Sequence, residues 1–276
     1  MKNALKPFLF PLFRKAKMIL RKLFAKKNPN ETITYSGIYL NFKEVQEKFE
    51  ILDHYSSSEQ FSITVEQAKK LLSVSETESF VNIGWASQRL NFLPNFLPAL
   101  NLESLKILDI GGGFGETYLH VKRSTKCTIR YDIIELDKTV EAGAAIFSHD
   151  HDLNFYTLEK YSTNKYDLVY FGSSLQYFEN WREIIRIALV SDPKFVLISD
   201  TTVGEVPTFV CAQVNDSRTI IPRWVFNIKD LDILFSTFGY IRVLRTSNYY
   251  PFHNFYNYEG EYRNIEHSNL VFERKE

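Results

Sequence analysis

One stretch constrains this chain more than any other: three consecutive glycines set between an apolar tetrapeptide and a helix-forming run. Residues 106–117 read KILDIGGGFGET. Ile107, Leu108, Asp109 and Ile110 form the short apolar run that a strand buried on both faces needs. Gly111, Gly112 and Gly113 follow, then Phe114 and Gly115, and residues 116–121 open a helix. A strand that turns into a helix through glycines leaves backbone N–H groups unpaired at the turn. Without Cβ atoms in the way, a ligand can approach that backbone closely.

The spacing says which ligand. Dinucleotide-binding turns read G-x-G-x-x-G. Gly111 and Gly113 fit that pattern, but the third slot holds Glu116, whose carboxylate would face an incoming pyrophosphate. The glycines read instead G-x-G-x-G, at Gly111, Gly113 and Gly115, with Asp109 two residues before the first. Glu116 in that slot argues against a nicotinamide dinucleotide or a nucleotide sugar.

After the turn the chain alternates strands and helices, which predicts a mostly parallel sheet. Strands are expected at 106–110, 128–134, weakly at 153–156, at 166–171 and at 194–199. Helices are expected from about 116, near 181–190 and over 231–238, the last ended by Gly239. The closing strands are 241–245 and 270–274. Before the turn, residues 35–100 read mainly helical, at 42–49, 65–72 and 80–90, until Leu93-Pro94 and Leu97-Pro98 break the pattern.

The zero net charge hides an asymmetry. Residues 1–30 carry nine Lys or Arg and no Asp or Glu, which leaves 24 basic and 33 acidic residues in the remainder, a net of −9. An acidic body argues against a broad nucleic-acid groove. From Leu12, the residues Leu12, Phe13, Ala16, Ile19, Leu20, Leu23 and Phe24 share one helical face, and Arg14, Lys15, Arg21, Lys22 and Lys26 the other. The apolar runs are too short to span a membrane. This amphipathic segment, residues 12–27, suits an anionic membrane surface, a partner enzyme, or packing on the body. The organisation expected is a basic segment over 1–30, a helical cap over 31–100 and a cofactor-binding domain over 101–276.

Two cysteines, Cys127 and Cys211, form no C-x-x-C pair, so neither a zinc ribbon nor a disulfide framework is indicated. His149-Asp150-His151-Asp152 has alternating ligand-type residues but no third cluster to complete a site, and reads as a solvated loop. No metal is expected.

Asp109 and the glycine turn resemble motif I of class I S-adenosylmethionine (SAM)-dependent methyltransferases. The resemblance implies a Rossmann-like α/β sheet with an antiparallel last strand, preceded by a helical extension, and SAM as cofactor. It assigns Asp109, Gly111, Gly112, Gly113 and Gly115 to the methionine end. Glu135 ends the second strand of the sheet, where a carboxylate meets the ribose hydroxyls; Asp137 is the fallback. The family often places an acid after the third strand, against adenine. Here that stretch offers Tyr156 and Leu158. Gly172 and Ser173 are cofactor candidates in the loop after YDLVYF, with Gln176 and Tyr177 on the acceptor side.

Further stretches resemble a family of bacterial methyltransferases associated with surface-polysaccharide synthesis. They are Tyr35-Ser36-Gly37, Phe42-Lys43-Glu44, LDIGGGFG, SLQYFENW, SDTTVG and IPRWVFN. This implies a small acceptor, a saccharide or polysaccharide precursor, and a cytoplasmic protein, peripheral at the inner membrane face if residues 12–27 bind there. A hydroxyl or amine acceptor must lose a proton, and the candidate bases are Asp200, His253 and Tyr177. The competing readings are a cofactor-binding scaffold without turnover and a Rossmann enzyme using another nucleotide.

Overall fold

The computed structural model describes residues 33–49, 92–162, 164–216, 219–248, 253–255 and 257–276, together with Tyr250 and single positions between 61 and 72. The basic segment 1–30 and the helix expected at 80–90 lie outside the described residues.

The described chain enters as a strand, β1 (Ile33–Tyr39), followed by helix α1 (Phe42–Lys48). The stretch read as mainly helical therefore begins with sheet. Its β-branched and aromatic residues, Ile33, Thr34, Tyr35 and Tyr39, suit a pleated surface better than a helix. Asn41 caps α1 by accepting from the Glu44 N–H at 3.0 Å, and Glu44 reaches back to the Leu40 N–H at 2.9 Å. This reciprocal pair satisfies two donors that the helix start would otherwise orphan.

Helix α2 (Phe92–Leu100) runs through both prolines expected to end it. Pro94 lies in the first turn, where its missing N–H costs nothing. Pro98 cannot bond the Pro94 carbonyl, and the Ser124 hydroxyl reaches that carbonyl at 3.5 Å instead. Burial of Leu93 and Leu97 in the core holds the helix in place.

The alternating part follows as β2 (Ser104–Ile110), α3 (Glu116–Ser124), β3 (Thr128–Ile134), α4 (Asp137–Ile146), β4 (Leu153–Tyr156) and β5 (Leu168–Gly172). A short 3-10 turn over Leu175–Tyr177 leads to α5 (Trp181–Val190). The chain continues through β6 (Phe195–Gly204), β7 (Phe209–Asp216), β8 (Thr219–Asn227), α6 (Ile228–Ser236), β9 (Tyr240–Asn248), β10 (His253–Asn254) and β11 (Ile265–Arg274). The main sheet runs β4-β3-β2-β5-β6, all parallel, and continues antiparallel into β11 and then β9.

Two cores explain why β2 is apolar on both faces at Leu105, Ile107, Leu108 and Ile110. Leu108 and Ile110 face the core built with α5 and α6, while Ile107 faces the core built with α2 and α3. Alternate side chains of a central parallel strand enter opposite layers, so both faces favour apolar residues, with Asp109 at the strand end as the exception. Helix α5 shows the complementary helical pattern: Trp181, Ile184, Ile185, Ala188 and Leu189 are its buried stripe.

The hairpin β7–β8 was not anticipated as sheet. It fills the connection between β6 and α6, and it extends the sheet through β8-β7-β1-β10. Strand β6 is long enough to serve both halves. Residues 195–199 pair with β5, and past its end Val203 and Gly204 pair in parallel with Phe226 and Asn227 of β8. The hairpin thus stands over the C-terminal ends of the parallel strands, the edge at which sheets of this kind bind ligands.

Candidate active site

The turn after β2 is built from left-handed backbone. Gly111, Gly113 and Gly115 have φ of +76°, +61° and +85°. Gly111 is also demanded by packing, because a Cβ there would lie 2.5 Å from the Ser174 Cβ. The Ser174 hydroxyl donates to the Ile110 carbonyl, so the loop after β5 is pressed against this turn.

Asp109 lies beneath the turn, fully buried. A Cβ on Gly112 would come 2.7 Å from its carboxyl group. One carboxylate oxygen accepts from the Tyr131 hydroxyl at 2.7 Å, while the other has no hydrogen-bond partner among the described residues. Burial pushes the Asp109 carboxyl up to about 7; the Tyr131 hydroxyl opposes the shift, and the neighbouring Glu135 and Glu116 add to it. A buried carboxyl with an orphaned oxygen is a site that a cationic group would complete.

Glu135 follows β3 and turns back onto the same loop. Its carboxylate accepts from the Gly113 N–H at 3.2 Å and from the Leu136 N–H at 2.8 Å. Burial raises its pKa, and those two backbone donors hold it down. Asp137, the fallback, is the first residue of α4. Tyr156 ends β4, and Leu158 lies two residues beyond it and is exposed.

The ends of β5 and β6 carry the second half of the site. Gly172 closes β5 opposite Ser199. Ser173 and Asp200 both have positive φ, +61° and +51°, although neither is glycine. The two side chains meet, with the Ser173 hydroxyl donating to Asp200 Oδ2 at 3.0 Å. Asp200 owes its conformation to a bulge: on β11 Ser268 pairs with Thr201 and Leu270 with Ile198, so Ser199 and Asp200 together oppose Asn269. The Asn269 side chain accepts the Asp200 N–H at 2.9 Å. Strained backbone of this kind costs of order 1–3 kcal/mol and concentrates at functional sites.

The bulge aims Asp200 at His267 of β11, whose Nδ1 lies 3.1 Å from Asp200 Oδ1. Both groups are buried, at 5% and 4% exposure. Burial lowers the His267 pKa and Arg223 adds to that, while Asp200 acts in the opposite direction. The imidazole sits among three rings. Tyr250 meets it edge-on at 5.0 Å between centroids, with Phe255 at 5.5 Å and Tyr35 at 6.2 Å.

Arg223 of β8 ties the hairpin to this cluster. It donates to the Gln213 side-chain oxygen at 2.8 Å, to the Tyr35 hydroxyl at 3.1 Å and to the Thr202 hydroxyl. Tyr177 donates to the same Gln213 oxygen at 3.0 Å, and the Arg223 guanidinium lies over its ring. Gln176 is buried and its amide donates back to the Ser173 carbonyl at 2.9 Å.

The sequence candidates therefore fall into three places. Asp109, Gly111, Gly112, Gly113, Gly115 and Glu135 gather at the turn after β2. Gly172, Ser173, Gln176, Tyr177 and Asp200 gather at the ends of β5 and β6. His253 lies in β10, which pairs with Ile33 of β1, at the far end of the path β10-β1-β7-β8-β6. His267 carried no local signal, while Arg223 and Tyr35 were visible only as parts of matched stretches, IPRWVFN and Tyr35-Ser36-Gly37. In the acidic loop after α4, Asp150 accepts from the Tyr118 hydroxyl at 2.8 Å and from Lys122 at 2.9 Å, so it anchors α3.

Solved structures with a similar fold are known. A 1,6-didemethyltoxoflavin N1-methyltransferase from Burkholderia thailandensis, solved with 1,6-didemethyltoxoflavin and S-adenosylhomocysteine (SAH), aligns with 82% of this chain and 94% of its own. The TM-score is 0.50 and the identity 11%. Magnesium protoporphyrin IX methyltransferase from Synechocystis PCC 6803, solved with SAH, aligns with 84% of this chain and all of its own, at TM-score 0.50 and 14% identity. The fold is the class I methyltransferase fold. No family model matches the sequence, and no curated protein matches it. Beyond β6 the sheet continues through the β7–β8 hairpin into β1.

Proposed function

We propose that this protein is a SAM-dependent methyltransferase acting on a small acceptor. The observation that carries the reading is the orphaned carboxylate oxygen of buried Asp109 beneath three left-handed glycines, with Glu135 folded onto the same turn. An amino-acid ammonium fits the Asp109 oxygen, and ribose hydroxyls fit the Glu135 carboxylate once it releases the Gly113 N–H. The residues present thus match SAM, which supplies an electrophilic methyl carbon on a sulfonium. Gly172, Ser173 and the Ser174 contact hold the loop that would flank the sulfonium, and Tyr156 or Leu158 would meet adenine.

The chain's own contribution is placement. Holding a nucleophile in line with a methyl group in a dry pocket supplies much of the rate in such a displacement. We take the acceptor to be a saccharide or polysaccharide precursor, on the resemblance of SLQYFENW, SDTTVG and IPRWVFN. The half-buried rings of Tyr250 and Phe255 are consistent with it, because aromatic faces stack on pyranose rings. Residues 12–27 we assign to reversible attachment at an anionic membrane surface. Among the described residues no helix is long and apolar enough to cross a membrane.

Calorimetric titration with SAH and, separately, NADH tests the cofactor. Binding of SAH without a response to NADH is expected, and Glu135→Ala should weaken SAH by tenfold or more, about 1.4 kcal/mol. A folded protein that ignores SAH would end the methyltransferase reading. Transfer of labelled methyl from SAM into a saccharide extract tests the acceptor class.

A further inference from the structure

Asp200 stood as a candidate base from its place at the end of β6, yet its surroundings give it another task. Its two carboxylate oxygens are both engaged, one by the Ser173 hydroxyl and one by His267 Nδ1. The chain bulges and accepts a left-handed aspartate to make those contacts. We propose that His267 is the group that removes the acceptor's proton, and that Asp200 is the positioning residue that fixes its tautomer. The proposal rests on the methyltransferase reading.

Three observations converge on it. A carboxylate at Nδ1 favours the tautomer with the proton there, which makes Nε2 the basic nitrogen. The imidazole belongs to the cluster at the C-terminal ends of the parallel strands. It is linked through Asp200 and Ser173 to the Ser174–Gly111 contact at the glycine turn. Its environment also keeps it neutral, and therefore able to accept a proton. The charged groups facing it are Asp200 on β6, which favours the imidazolium, and Arg223 on β8, which opposes it together with burial. Among the described residues the phenol rings of Tyr35 on β1 and Tyr250 also pack beside it.

The step balances. A hydroxyl or amine of the acceptor gives its proton to His267 Nε2 as its lone pair forms the bond to the methyl carbon. The electrons of the broken carbon–sulfur bond stay on sulfur, leaving a neutral thioether. Asp200 stabilises the imidazolium that forms and keeps its own charge. Tyr250 and Phe255 lie against the imidazole and shield it from water.

The test uses the full chain labelled with nitrogen-15 at histidine, with the His267 signals assigned by their loss in His267→Gln. The expected result is a neutral ring protonated at Nδ1, an Asp200→Asn variant in which that tautomer preference is lost, and an Nε2 resonance that moves more with SAM than with SAH. The last readout reports the sulfonium charge nearby, which a remote structural histidine would not sense. A ring protonated at Nε2, or identical His267 spectra with SAM and SAH when both bind, overturns the proposal and leaves the cofactor reading standing. Absence of binding by either overturns that reading first. In turnover with the acceptor found by label transfer, His267→Gln should lower kcat by about 100-fold or more, with KM for SAM unchanged. Retained kcat would equally reject the role.

Discussion

Asp109 sets how the folded chain responds to pH. Its carboxyl titrates near 3.8 when free and is pushed to about 7 by burial. Between those values the folded chain holds a proton that the unfolded chain has lost, so this group's contribution to stability falls as pH rises through the window. The full effect is on the order of 4 kcal/mol. A bound ammonium reverses the preference, because it rewards the ionised form. SAH affinity should therefore tighten as pH rises toward 7, by up to tenfold per unit, and level off above. Asp109→Asn should flatten that dependence in a calorimetric pH series. Gly111→Ala is a separate test at the same turn. Its Cβ meets Ser174 at 2.5 Å in a left-handed conformation, so a loss of about 2–4 kcal/mol is expected in urea unfolding. These residues were legible because the turn is contiguous and glycine is conspicuous where φ is positive. Asp200 was legible as a strand-end acid, but its left-handed backbone was not, since a bulge exists only in the register of two strands.

At the scale of elements, the parts that read poorly are those whose partners lie far away in sequence. Strand β1 reaches β7 across about 180 residues and brings Tyr35 to Arg223. No periodicity within residues 33–39 could announce that partner. The reading of this region as helical failed where pairing outweighed local pattern. The β7–β8 hairpin was matched as a characteristic stretch without being recognised as sheet, and His267 was missed because β11 arrives antiparallel from the end of the described chain. Arg223 joins these elements through neutral partners: Tyr35, Gln213 and Thr202. Arg223→Ala would leave their buried polar groups unmatched, and a destabilisation of about 2–4 kcal/mol is expected by urea denaturation. Arg223→Met, which refills the volume, should recover part of it but not the positioning of Tyr177.

Across the whole molecule, the alternating core from 104 onward was readable because strand and helix periods switch there at short intervals. The order of the strands was implied by family resemblance and by no pattern in the residues. Charge was readable too: nine basic residues in the first thirty stand against an acidic remainder. If that segment attaches to membranes, the full chain should sediment with phosphatidylserine vesicles at low salt and release at high salt. A chain beginning at residue 31 should stay in the supernatant while still binding SAH. Equal sedimentation of both forms would place the attachment elsewhere.

Strand β11 lies between two strands that precede it in the chain, β6 and β9. During synthesis, β9 therefore emerges before β11, the strand it pairs with among the described residues, and β6 waits with one edge open. Until β11 slots in, the nascent sheet presents two raw margins to chaperones and to other copies of itself. The same late arrival delivers His267, so closure of the sheet and assembly of the Asp200–His267 pair are one event.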